Sequence, residues 1–163
     1  MTEEEDPKSK VFSVSNPVKT GSATTGHIKY TVVGIDADGE FTESRRFREF
    51  NSLRTVLVQR WPGIYIPALP EKKLVGGKDD KFVEERRGLL ERFMKEIGKI
   101  DYLTHSKEFK VFARDRGDIE KILNALPRQT PLQILEKYRL NFNVDEDQEG
   151  FQLTKYKDVI NEF

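Results

Sequence analysis

The chain has 163 residues, of which 34% are charged and 36% hydrophobic, and it contains no cysteine. This length and composition predict one folded domain with a real core and some additional tail. The lack of cysteine excludes a disulfide framework and a thiol nucleophile. No apolar run approaches the roughly 20 residues that a transmembrane helix needs, and the acidic start MTEEEDPKSK is no secretion signal. The sequence therefore fits a cytosolic protein.

The net charge is zero, but the charges are unevenly distributed. Residues 1–6 carry four acids, and residues 141–163 carry six acids against two lysines. Each end therefore has a net charge of −4, and the middle, residues 7–140, has +8. A basic middle between acidic ends indicates an anionic partner, which leaves a phosphate, a nucleic acid or a membrane surface open. Acidic tails that only aid solubility are the alternative explanation.

The first part of the chain has the pattern of a small sheet followed by a helix. After residues 1–9, which we expect to be disordered, the segments KVFSVSNPV, HIKYTVVGI and EFTESRRF alternate in polarity or are rich in β-branched residues. Together with the turn DADG they predict three antiparallel strands between Val11 and Phe47. The apolar spacing then changes to three and four residues, which predicts a helix from Phe47 to Gln59.

The second part has the pattern of an extended loop followed by several helices. The stretch IPALP predicts an extended, polyproline-like segment. Asp118 and Thr130 are predicted N-caps, and Pro131 fits the first position of a helix. The predicted helices cover about residues 80–100, 106–112, 119–126 and a segment that starts at 131. The chain ends within an acidic, weakly helical pattern, so we expect a longer C-terminal region.

Arg86 occupies an unexpected position on the helix predicted for residues 80–100. At 100° per residue, the apolar side chains of this helix form one stripe, and Arg86 falls in its middle. A guanidinium does not lose its proton, so burying it unpaired costs several kcal/mol. Arg86 must therefore meet an internal acid, extend to the edge of the stripe, or bind an anionic or hydroxylated ligand.

The stretch SRRFREF, residues 44–50, places three arginines around an aromatic ring between the last strand and the first helix. Such a cluster alone is more often a solvated patch than an anion site. Two more segments follow in chain order, PALPEK at 67–72 and FVEERRGLLERF at 82–93. Together with RRFREF they resemble the motifs of the phox-homology (PX) domains of sorting nexins and related proteins. The similarity covers about residues 10–115.

This resemblance implies an α+β architecture, the PX fold. In that fold a three-stranded antiparallel sheet packs on a helical subdomain with a proline-rich extended loop, here followed by a C-terminal helical extension. The resemblance also implies that the protein binds phosphoinositide headgroups on membranes, and phosphatidylinositol 3-phosphate is the most frequent ligand of the family.

The family's binding residues carry over position by position. Arg46 would hold the 3-phosphate through a forked pair of charge-assisted hydrogen bonds, and Arg48 is a secondary candidate for the same phosphate. Phe47, where the family often has tyrosine, would lie under the inositol ring. Lys72 would reach the 1-phosphate, and Arg86 would bind the 4- and 5-hydroxyls, which would explain its inward position.

Flanking residues receive different expectations. Leu74 and Val75, in a loop of lysines and glycines, are expected either to insert into the membrane interface or to fold back onto the core. Arg45, Arg87 and Lys73 are expected to form a solvated basic rim.

The implied domain organisation is a disordered N-terminus at 1–9, a PX domain at 10–116 and a helical, acidic extension at 117–163. The implied partner is a phosphoinositide-containing endosomal membrane, bound peripherally during endosomal sorting, with protein partners reached through the extension. We expect no nucleic-acid partner, cofactor or metal, and no enzymatic activity, because His27 and His105 are isolated from any nucleophile or ligand spacing. The alternative is a PX-fold protein-interaction scaffold with weak or no lipid binding, against which the complete set of site residues argues.

Overall fold

A computed structural model describes residues 11–22, 26–71 and 79–142 of the chain. The chain divides into two units, residues 1–127 and residues 128–163, and each is described by itself.

The first unit begins with a three-stranded antiparallel sheet in the order β1-β2-β3, with β1 at Ser13–Thr20, β2 at His27–Asp36 and β3 at Gly39–Arg46. This confirms the predicted sheet. The β2–β3 hairpin closes at the predicted DADG turn, where Gly39 adopts φ +108° and the Asp38 backbone N–H donates to Asp36 Oδ1 at 2.9 Å. Glycine fits this position because it adopts positive φ without steric cost.

Five helices follow the sheet among the described residues of the first unit. Their bounds are α1 Phe47–Arg60, α2 Asp80–Gly98, α3 Asp101–Thr104, α4 Lys107–Arg114 and α5 Ile119–Asn124. The predicted helices are confirmed within two residues at most ends, but the short α3 was not predicted. The Asp118 side chain caps α5 by accepting from the Lys121 backbone N–H at 3.1 Å, as its position before the helix indicated.

The core lies between the inner face of the sheet and the helices α1, α2 and α4. Phe109 of α4 meets Phe12 and Phe41 edge-on, with ring centroids 6.3 and 5.9 Å apart. Two glycines let Phe12 approach the backbone closely, since a Cβ at Gly34 or Gly98 would lie 2.5 or 2.4 Å from its ring. Aromatic packing therefore fixes α2 and α4 against the sheet.

The loop between α1 and α2 is anchored at its start. Residues 65–71 form neither helix nor strand, as IPALP predicted. Ile66 is buried with 5% of its surface exposed, and Arg54 Nε of α1 donates to the Pro67 carbonyl oxygen at 2.8 Å. Both contacts hold the beginning of the loop against the first unit.

The second unit contains one helix among its described residues, α6 at Pro131–Asn141. The Thr130 side chain accepts from the Gln133 backbone N–H, and Gln133 Oε1 accepts from the Thr130 N–H, which forms the predicted capped start with Pro131 in the first position. None of the helices within residues 11–22, 26–71 and 79–142 is long and apolar enough to span a membrane.

Candidate functional site

The neighbouring arginines Arg45 and Arg46 at the end of β3 point into different surroundings. Arg45 is 4% exposed; its Nε donates to the Phe112 carbonyl oxygen and its Nη2 to the Asp115 carbonyl oxygen, both at 2.7 Å. It thereby satisfies a carbonyl group that the last turn of α4 leaves without a helical partner. The expectation that Arg45 belongs to a solvated rim is wrong. Arg45 is buried because side chains of a strand alternate between its two faces, which places Arg45 on the same inward face as Phe41.

Arg46 is the N-cap of α1 and extends a partly exposed side chain. Its backbone N–H donates to Glu49 Oε2 at 2.7 Å, which is one half of a capping box. Its guanidinium Nη2 donates to Glu120 Oε1 of α5 at 2.6 Å, and the two side chains are 31% and 28% exposed. The helix dipole favours negative charge at this end of α1, so the surroundings of Arg46 suit an anion.

Arg86 of α2 lies over two aromatic rings. Its Cζ is 4.3 Å from the centroid of the Phe47 ring and 4.4 Å from that of Phe82. These are cation–π contacts, in which the ring face attracts the guanidinium. Phe47 itself is only 9% exposed, so part of its ring already supports Arg86. The structure therefore brings Phe47 and Arg86 together, and Arg46 directly precedes Phe47 in the chain.

The charge of Arg86 is only partly compensated. Burial lowers the pKa of its guanidinium, an effect that the nearby Tyr30 opposes. Its buried Nε has no hydrogen-bond partner, and within the described residues no carboxylate forms an ion pair with Arg86. The internal salt bridge considered from the sequence is therefore not found in this part of the chain.

The other predicted residues have different environments. Arg48 is exposed on the first turn of α1. Arg87 does not form a solvated rim, because its side chain is only 24% exposed and binds Glu84, Glu91 and the Val14 carbonyl oxygen, each at 2.6 to 2.7 Å. It ties α2 to β1.

Four predicted residues, Lys72, Lys73, Leu74 and Val75, lie outside the described residues, as do residues 1–9.

Three residues of this region were not singled out from the sequence. Phe82 precedes Arg86 by one helical turn, so the spacing of four could have indicated their contact. Tyr30 faces the core from β2 and is 1% exposed. Glu120 lies 74 residues after Arg46, and no periodic signal connects them.

The described side chains of this region provide cationic groups and an aromatic surface. No cluster of histidine and carboxylate side chains within residues 11–22, 26–71 and 79–142 is able to hold a metal ion. Among the described side chains, the Arg86 guanidinium lies over the Phe47 ring, and Arg46 directly precedes Phe47 in the chain.

Comparison with known proteins agrees with this architecture. The family model of the PX domain matches residues 34–116, and the chain belongs to this family. The chain is similar to human sorting nexin-30, with 35% identity over 129 residues that cover 77% of this chain and 27% of the relative. It is also similar to vacuolar protein sorting-associated protein 5 of Saccharomyces cerevisiae, with 36% identity over 102 residues that cover 61% of this chain and 15% of the relative.

A solved structure supports the same assignment. The X-ray structure of a designed CISK-PX domain superposes with a TM-score of 0.57 and 26% identity, covering 64% of this chain and 98% of that chain. The α+β PX fold expected from the sequence is thereby confirmed. This chain spans less than a third of the length of the two relatives named above.

Proposed function

We propose that this chain is a non-enzymatic membrane-targeting module that binds phosphatidylinositol 3-phosphate on endosomes and acts in endosomal sorting. Arg46 holds the 3-phosphate, with Arg48 as a secondary contact, and Phe47 lies beneath the inositol ring. Arg86 binds the 4- and 5-hydroxyls, and Lys72 reaches the 1-phosphate. In this proposal the PX domain comprises residues 10–116, and the extension at 117–163 contacts protein partners.

The main support for this proposal is that the Arg86 guanidinium is partly buried without a complete set of hydrogen-bond partners. Two other described arginines donate to backbone or carboxylate oxygens. Arg45 binds two carbonyl groups beyond its own strand, and Arg114 forms a forked pair with Asp36 at 2.8 and 2.6 Å. Arg86 is held over Phe47 and Phe82 with a buried Nε that lacks an acceptor. A guanidinium positioned in this way retains donors for the hydroxyl groups of a ligand.

The lysine of the site rests on the sequence and on the root of its loop. Lys72 directly follows Glu71, the last described residue of this segment. Because Ile66 is buried and Pro67 is bound by Arg54, the loop leaves the domain from a fixed point only five residues before Lys72. This short connection supports the proposal that the Lys72 ammonium group reaches the 1-phosphate, because a point charge is sufficient to bind a phosphate.

The test of this function is a sedimentation assay with vesicles of phosphatidylcholine that each contain one phosphoinositide. We expect the chain to sediment with vesicles containing phosphatidylinositol 3-phosphate and to remain in the supernatant with phosphatidylcholine alone. If the chain sediments with none of the phosphoinositide-containing vesicles, the proposal is overturned and a scaffold that binds only proteins is favoured.

Phe47 provides a prediction about how the ring acts. Because the ring is almost buried and supports Arg86, we expect Phe47→Leu, which keeps a bulky apolar side chain but removes the π face, to weaken binding of soluble inositol 1,3-bisphosphate by about fivefold to tenfold. Phe47→Tyr keeps the face and should bind like wild type. Isothermal titration calorimetry checks both. Full binding by Phe47→Leu, or loss of most binding by Phe47→Tyr, would show that the ring does not act through its face.

The proposed membrane contact of Leu74 and Val75 gives a separate prediction. Burying two aliphatic side chains in the interface contributes about 3–5 kcal/mol at most. The double change Leu74→Glu with Val75→Glu should therefore lower affinity for vesicles by at least about tenfold. Its affinity for soluble inositol 1,3-bisphosphate should stay the same.

The matched control is Val58→Glu, since Val58 is an aliphatic side chain of α1 with 45% of its surface exposed. It should leave both affinities unchanged. Equal losses for vesicle and soluble headgroup in the Leu74, Val75 variant would mean that these residues support the pocket and do not insert.

A further inference from the structure

The pair formed by Arg46 and Glu120 concerns the proposed phosphate site directly. Glu120 lies in the first turn of α5, beyond the segment that carries the family motifs, and its Oε1 accepts from Arg46 Nη2 at 2.6 Å. Within the described residues no other acidic side chain forms an ion pair with the Arg46 guanidinium. The Glu120 carboxylate therefore already binds the Arg46 guanidinium, which the proposed function assigns to the 3-phosphate.

The geometry of a guanidinium makes this contact competitive. A forked hydrogen-bond pair uses either the edge formed by Nε and Nη2 or the edge formed by Nη1 and Nη2, so Nη2 belongs to both forks. Glu120 binds this shared nitrogen. Nη2 carries one N–H for each fork, so Glu120 takes a donor from one fork. A phosphate on the other fork would lie beside the carboxylate across the shared nitrogen, where the two anions repel each other.

The rest of α5 is fixed, which confines the competition to one side chain. Ile119 and Leu123 are each 1% exposed, and Asp118 caps the helix. The Glu120 carboxylate is partly exposed, with 28% of its surface accessible, and can rotate toward water without undocking the helix. Ligand binding therefore requires only that the side chain leaves Arg46.

We infer that Glu120 is an internal counter-ion that competes with the phosphate for Arg46 and so lowers the affinity of the site. In the ligand-free protein it neutralises and orients Arg46, and only a strongly charged group such as a phosphate monoester displaces it. This inference rests on the proposed function of Arg46, and it assigns to α5 the role of setting the threshold for binding.

The test compares Glu120→Gln with wild type in calorimetric titrations of inositol 1,3-bisphosphate and in sedimentation with vesicles containing phosphatidylinositol 3-phosphate. Glutamine keeps an oxygen for Arg46 but removes the negative charge, so the fold is retained, which a thermal melt verifies. We expect about fivefold tighter binding of both ligands.

Glu40→Gln is the matched control, because it makes the same change in net charge on an exposed side chain at the opposite end of β3, roughly 20 Å from Arg46. It should bind like wild type. If Glu120→Gln binds no more tightly than wild type, the inference is overturned while the proposed function stands. The same holds if Glu40→Gln gains as much affinity as Glu120→Gln, because the gain would then reflect net charge only. Absence of binding in wild type and in Glu120→Gln would overturn the proposed function, and this inference with it.

Discussion

Replacing Arg46 with alanine is expected to abolish detectable binding to vesicles that contain phosphatidylinositol 3-phosphate while the fold remains intact. The substitution removes a charge-assisted forked contact to the 3-phosphate, which contributes about 1.5–3 kcal/mol and corresponds to about a ten- to hundredfold loss of affinity. The fold should tolerate it because the lost pair with Glu120 is partly exposed, and such pairs contribute at most about 1 kcal/mol.

Arg92→Ala is the matched control for this experiment. Arg92 is exposed on α2, six residues after Arg86 and on a different face of the helix, and its removal changes the net charge by the same amount. It should sediment with the vesicles like wild type. Binding by Arg46→Ala at the wild-type level would contradict the assignment of Arg46, and an equal loss in both variants would reduce the site to nonspecific charge.

Replacing the adjacent Arg45 should have the opposite consequence and destabilise the fold. Arg45→Met leaves the carbonyl groups of Phe112 and Asp115 without their donor, in a place where the arginine is 4% exposed. The expected cost is about 2–4 kcal/mol, a large share of the stability of a domain of this size. Urea unfolding should show it as a lower midpoint, and the melting temperature should fall by on the order of 10 °C.

Arg48→Met controls for the loss of charge, because Arg48 is exposed and should change stability by less than about 0.5 kcal/mol. At a temperature where the Arg45→Met variant is folded, it should still bind vesicles that contain phosphatidylinositol 3-phosphate. If Arg45→Met melts like wild type but no longer binds lipid, then the structural role given to Arg45 and the phosphate-binding role given to Arg46 are exchanged.

The elements of this fold were predictable where a local pattern determines them. The change of apolar spacing at Phe47 marks the boundary between β3 and α1, and the caps Asp118 and Thr130 mark the starts of α5 and α6. These signals depend on neighbouring residues only, so the sequence contains them in full. The four-residue α3 has no such period and was missed.

The site was only partly predictable, because its character depends on contacts between distant segments. The helical period correctly placed Arg86 toward the apolar side of α2, but it did not show that Phe47 and Phe82 would receive the guanidinium. The strand period could have separated Arg45 from Arg46, since adjacent residues of a strand face opposite sides. The pair of Arg46 with Glu120 spans 74 residues and follows from packing of α5 alone.

If Arg46 and Arg86 act together as one headgroup site, nuclear magnetic resonance of the arginine side chains should detect both in a single titration. The protein, labelled with ¹⁵N in arginine, is titrated with inositol 1,3-bisphosphate while the Nε–H signals are followed. We predict that the signals of Arg46 and Arg86 shift with one common saturation curve, whereas those of the structural residues Arg45 and Arg114 stay in place. Signals of Arg46 and Arg86 that remain unchanged while an exposed arginine such as Arg92 responds would contradict a headgroup site formed by these two residues.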